Sequence, residues 1–196
     1  MTLTPGLQTT VGGLSPNAGG LIDVGSGYVT VAAGLSVTDM LVALNAGRGD
    51  GLWSGTSGII SSTAATNVAA SIPLTVGWLD NGDGSMTFAY AAPGDTNLDW
   101  SIDILDVSNF LSFGKFDTGL PATWLEGDFN YDGVVDVLDA ADFLTTGLYN
   151  TGAYNPPPGA AGAVAAVPEP ICTAGAVIAA VILLLRQRAW RRFPAG

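Results

Sequence analysis

Two stretches of the chain place oxygen-bearing side chains at the spacing that a hard divalent cation needs. The first runs Asp95, Asn97, Asp99, Ser101, Asp103 and Asp106; the second runs Asp128, Asn130, Asp132, Val134, Asp136 and Asp139. Calcium takes about six to eight oxygens at roughly 2.3–2.6 Å, and a twelve-residue loop supplies them from positions 1, 3, 5, 7, 9 and 12. Position 7 serves through its backbone carbonyl, which is how Ser101 and Val134 enter the set. Each loop gathers four carboxylates, and without a counter-ion these repel one another. Binding free energy is therefore expected to be largely folding free energy. Magnesium fits less well, because it demands a tighter octahedron and gives up water reluctantly.

The two stretches are copies, 33 residues apart. The match extends to Phe110-Leu111 with Phe143-Leu144, Gly114 with Gly147, and the preceding Gly94 with Gly127. Agreement over so many positions marks a duplication and not a shared composition. At position 6, where the chain turns with positive φ, the copies differ. Gly133 does this freely, whereas for Trp100 it costs roughly 1 kcal/mol or more, so the first site is expected to be weaker or its loop distorted. At position 8, Ile102 and Val135 are expected to back onto each other through a short β-like contact. Ile104-Leu105 and Val137-Leu138, at positions 10 and 11, read as core.

Composition narrows the chemistry further. There are 17 acids and 6 bases, for a net charge of −11. Fifteen of the acids are Asp, the shorter carboxylate that suits tight loops and cation cages. Four arginines (Arg186, Arg188, Arg191, Arg192) close the chain, so removing them leaves −15 on residues 1–185. A surface this acidic repels nucleic acid. With no His and a single cysteine, Cys172, the chain lacks the means for zinc sites, disulfide frameworks or Ser-His and Cys-His catalysis.

The elements that must position the loops are read from local signals. Residues 1–18 are small, polar and without the basic and apolar regions of a signal peptide, so the chain is expected to be the tail of a longer exported protein. Residues 19–92 read as a β-rich module with one helix. Leu21–Val24 and Tyr28–Val31, separated by Gly25-Ser26-Gly27, suggest a hairpin. A second hairpin is expected from Leu74–Leu79 and Ser85–Tyr90 around Asp80-Asn81-Gly82-Asp83-Gly84. Ser36 and Asp39 form a capping box for a helix through Met40–Leu44, closed at Asn45-Ala46-Gly47. Arg48-Gly49-Asp50 matches an adhesion tripeptide, a match that chance supplies often. The region holds five Asp and no Glu or His, which is poor material for the paired carboxylates of a glycosidase cleft.

The loops resemble the type I dockerin family, through the pattern D-x-N-x-D-G-x-(V/I)-D-x-x-D at Asp128–Asp139, the first copy departing from it at Trp100. Position 12 is Asp and not the usual Glu of EF-hands, and no convincing helix precedes either loop. The resemblance covers about 93–150. It implies an all-α pair of calcium loop-helix units, two Ca²⁺, and docking onto a cohesin-like partner, with glycoside-active enzymes as common neighbours. After a Pro/Gly/Ala linker at 151–166, the tail 167–196 is similar to a PEP-CTERM sorting signal: Pro168-Glu169-Pro170, the apolar run 171–185, and the arginine cluster. That likeness implies recognition of Pro168, Glu169 and Pro170 by an exosortase-type enzyme, a transmembrane helix at 171–185 with the arginines cytoplasmic, and a bacterial cell-envelope or matrix location. The expected fold is thus mixed: a β-rich module, an all-α calcium pair and a membrane helix. The expected role is non-catalytic, with a protein-docking module or the tail of a polysaccharide-degrading enzyme as alternatives.

Overall fold

The computed structural model describes residues 8–14 and 19–155. Their elements are β1 (Gln8–Val11), β2 (Leu21–Asp23), β3 (Tyr28–Val31), α1 (Val37–Arg48), β4 (Gly58–Ile60), α2 (Ser62–Ala69), β5 (Thr75–Asp80), β6 (Met86–Ala91), α3 (Ile104–Ser112), a 3₁₀ turn (Trp124–Glu126) and α4 (Val137–Thr146). Four strands form a mixed sheet in the order β1-β3-β6-β5, and β2 pairs with β4 in a separate two-stranded sheet.

The β5–β6 hairpin forms as expected, with Trp78 opposite Phe88. Asp80 and Asp83 serve as turn residues, accepting from the backbone N–H of Gly82 and Ser85. The first hairpin does not form. β2 runs parallel to β4, while β3 lies between β1 and β6. Asp23 explains the departure: its Oδ1 accepts from Gly25 N and also from Ser62 N, tying the end of β2 to the start of α2. Gly25-Ser26-Gly27 therefore links two sheets. α1 has the expected capping box at Ser36 and Asp39 but runs on through Gly47 to Arg48. Gly47 is a packing residue and not a stop, since a Cβ there would sit 1.7 Å from Ile59 O.

The expected division into a separate β-rich module and an all-α pair is overturned. Residues of the sheets (Val24, Val76, Trp78, Phe88) and of the loop region (Leu98, Ile102, Trp124, Phe129, Tyr131) belong to one hydrophobic core. Tyr131 donates or accepts with Thr75 Oγ1 at 2.9 Å and also reaches Val76 O. The loop region is not all-α either, because it carries two β-bridges and a 3₁₀ turn. Aromatic side chains inside the loops find their apolar partners on the sheet, which is why the two halves fuse. Among the described residues no helix is long and apolar enough to cross a membrane. The run 171–185 and Pro168, Glu169 and Pro170 lie outside the described residues. Residues 151–155, read as linker, pack instead: Tyr154 N donates to Trp100 O, and Asn155 Nδ2 to Ser26 O.

The duplicated units exchange partners. Ile102 bridges to Tyr149 and Val135 to Phe116, not to each other as expected. The segment after each helix thus lies beside the other copy's loop, with Asp117 N donating to Val135 O and Asn150 N to Ile102 O. The same exchange recurs in packing. A Cβ on Gly94, before the first loop, would lie 2.2 Å from Phe143 of α4, and one on Gly127 would lie 2.5 Å from Phe110 of α3. Gly94→Ala and Gly127→Ala are each expected to lower stability by about 2 kcal/mol or more, read as a drop in urea midpoint. Gly152→Ala, where φ is +89 but the space is open, is expected to cost only about 1 kcal/mol.

Candidate functional site

Each loop is built around its first carboxylate, which is fully buried. In the first, Asp95 Oδ1 accepts from Asp99 N at 3.2 Å, and Oδ2 accepts from Trp100 N at 2.9 Å and from the Tyr154 hydroxyl at 2.5 Å. In the second, Asp128 Oδ2 accepts from Gly133 N at 3.0 Å, while Oδ1 is buried without a hydrogen-bond partner. Desolvation raises both carboxyls to about 7, and the like charge of Asp106 or Asp139 adds to it; the Tyr154 bond opposes the rise at Asp95.

The remaining positions repeat almost atom for atom. Asn97 Oδ1 accepts from Asp99 N at 2.9 Å, and Asn130 Oδ1 from Asp132 N at 2.8 Å. Asp99 and Asp132 accept from the N–H of position 7, Ser101 at 2.9 Å and Val134 at 3.0 Å. Asp103 and Asp136 cap the following helices, accepting from Leu105 N and Leu138 N at 2.7 Å. Asp106 Oδ1 takes Thr96 N at 2.8 Å and Oδ2 takes Asp103 N at 2.9 Å; Asp139 repeats this with Phe129 N and Asp136 N. Each of these turns is local, with bonds that span two to ten residues.

Among the described residues no three carboxylates converge tightly enough to form a cation site by distance alone. The donor set nonetheless fits a hard cation. It is entirely oxygen, and it includes a buried, unpartnered carboxylate oxygen at Asp128, an arrangement that costs several kcal/mol when the group is charged and nothing answers it. Asp95, Asn97, Asp99, the Ser101 carbonyl, Asp103 and Asp106 would hold one ion; Asp128, Asn130, Asp132, the Val134 carbonyl, Asp136 and Asp139 would hold the other.

Trp100 does adopt the left-handed conformation, with φ 67, against 88 for Gly133. Its side chain compensates the strain: the indole is buried, donates Nε1–H to Tyr90 O at 2.9 Å, and packs edge-on to Tyr28 at 6.3 Å. The position that looked like a defect is an anchor to the sheet. What distinguishes the first loop is Tyr154, whose hydroxyl donates to Asp95 Oδ2 beside Trp100 N, while the open oxygen of the second loop, Asp128 Oδ1, corresponds to Asp95 Oδ1, which accepts from Asp99 N. Sequence reasoning missed Tyr154, Tyr131 and Trp124, the last donating to Asp95 O at 2.7 Å; aromatic residues beside a loop carry no local signal of the partner they reach.

No protein-family model, curated protein or solved structure matches the chain.

A carboxyl whose pKa is raised by folding stabilises the fold while it is protonated. That contribution is complete below the ordinary value of 3.8 and is lost as pH rises through about 7. With chelator present, the thermal midpoint is expected to fall between pH 5 and pH 8, and excess calcium should abolish the fall. Trp100→Gly is expected to destabilise by about 3 kcal/mol despite relieving the backbone, since loss of a buried indole outweighs roughly 1 kcal/mol of strain. Chemical denaturation of both proteins in calcium checks this.

Proposed function

We propose that this chain is a non-catalytic calcium-binding part of an exported bacterial surface protein, taking two Ca²⁺ through dockerin-like loops. Its Pro168-Glu169-Pro170 tail serves as the sorting signal for an exosortase-type enzyme, which delivers it to the cell envelope or matrix. The observation that carries the calcium reading is the buried Asp128 carboxylate with an open oxygen, set within a duplicated all-oxygen loop. The ion would supply charge neutralisation: four carboxylates per loop then attract a common centre instead of repelling one another. Calcium titration of the chelator-stripped chain, followed by heat and by far-UV circular dichroism, is expected to show two ions bound. Asp128→Ala should remove one of them. Two silent titrations at millimolar calcium would end this reading.

A second role, protein docking, is supported by the helix starts. Ile104 (64 %), Leu105 (60 %), Val137 (68 %) and Leu138 (58 %) are exposed, where burial as core was expected. Apolar residues held outward at matching places on both copies suit a cohesin-like partner, each copy offering the same face. Leu105→Ser with Leu138→Ser is expected to leave calcium binding unchanged while weakening capture by a cohesin module at least tenfold. A surface polysaccharide remains the alternative partner, and glycan-array binding that survives the double substitution would favour it.

A further inference from the structure

A cavity of about 340 Å³ opens between the end of α1, the α2–β5 connection and α4. It lies within the size range of small-molecule sites and has room for about ten waters at about 30 Å³ each. Its walls carry opposite charges. Arg48 stands at one side, its guanidinium carbon 5.8 Å from the Tyr131 ring centroid. Asp142 of α4 stands at another, its carboxyl pushed up by burial and pulled back by the charge of Arg48. They are within electrostatic reach of each other but do not pair; among the described residues the one ion pair is Lys115–Glu126. The apolar Ile72, Leu74 and Phe129 also line the cavity.

Backbone strain points to the same place. Among the described residues, seven other than glycine have positive φ. Leu98, Trp100 and Tyr131 belong to the loops, and Asp117 and Asn150 are the matched positions after the two helices. The other two, Trp53 (φ 56) and Ser71 (φ 63), both line this cavity. Strain of this kind costs about 1–3 kcal/mol per residue and gathers where a ligand is held.

We propose that the cavity binds a small zwitterion with the chemistry of an apolar α-amino acid, Arg48 taking its carboxylate, Asp142 its ammonium group, and Ile72, Leu74 and Phe129 its side chain. A ligand of one sign meets a like charge on one wall or the other, and a neutral polyol leaves both charges without a full partner. A zwitterion answers both at once. Arg48 is one of two basic residues in 1–185, and Lys115 is occupied by Glu126 at 3.5 Å and by Pro121 O at 2.6 Å. The chain therefore places its remaining cation of that stretch on the wall of this cavity.

Isothermal titration of the full chain, with and without calcium, against L-leucine, L-phenylalanine, N-acetyl-L-leucine and glucose tests the assignment. One of the two free amino acids is expected to bind. N-acetyl-L-leucine, which lacks the ammonium group, should bind at least tenfold more weakly, as should the best amino acid to Asp142→Asn and Arg48→Gln, a loss of about 1.4 kcal/mol. The ligand series on the unaltered chain keeps the test decisive if Arg48→Gln disturbs the Tyr131 contact and with it the fold. The proposal is overturned if neither amino acid binds at millimolar concentration, if N-acetyl-L-leucine or glucose binds as tightly, or if Asp142→Asn, folded by circular dichroism, binds unchanged.

Discussion

Everything in the loop region is arranged around two carboxylates that have been taken out of water. An ionised carboxylate without an answering charge costs several kcal/mol on burial, and Asp95 and Asp128 are fully buried. The fold offers Asp95 the backbone N–H groups of Asp99 and Trp100, and offers Asp128 Oδ2 that of Gly133. Those donors are available because the chain curls through left-handed conformations at Leu98, Trp100, Tyr131 and Gly133. The curl in turn needs something rigid to hold it. Tyr131 and Trp100 reach from the loops to the backbone of Val76 and Tyr90 on the sheet, and Trp124 of the 3₁₀ turn holds Asp95 O, so the sheet is the template on which the loops are set.

The exchange of partners between the copies makes the two loops one structure. Phe143 fills the space at Gly94, and Phe110 fills that at Gly127. Each position 8 strand hydrogen-bonds to the segment that follows the other loop's helix. Disorder in one loop would therefore remove a wall of the other. If both loops take an ion, the two sites would be coupled, because ordering either loop places a bridge partner for its neighbour.

What could be read from sequence was what is local. Asp at alternate positions, an Asn-Gly turn and a Ser36–Asp39 cap all act within a few residues, and each forms as its spacing implies. The exchanged register was not legible, since both copies carry the same pattern and periodicity cannot say whether Ile102 pairs with Val135 or with Tyr149. Gly25-Ser26-Gly27 looked like a hairpin turn because the decisive bond runs from Asp23 to Ser62, 39 residues away. Tyr154 was hidden in a Pro/Gly/Ala-rich stretch, where one aromatic does not alter the composition but does complete the first loop.

Electrostatics shows how little internal counter-charge the loops receive. Residues 1–185 carry two basic side chains, and neither is an ion-pair partner of a loop ligand. Lys115 pairs with Glu126, and Arg48 rests on the Tyr131 ring. The eight loop carboxylates are therefore answered by backbone N–H groups and neutral side-chain donors such as Tyr154, Thr96, Asn97 and Asn130, and dipoles balance a charge only in part. Placing lysine or arginine nearer would lower the repulsion, but permanently, and would leave the loops formed in any medium. Leaving the charge uncompensated makes the fold of 93–150 responsive to the ions around it. On the proposed reading, a segment exported from a calcium-poor interior to a calcium-rich exterior would acquire its full rigidity where it is used.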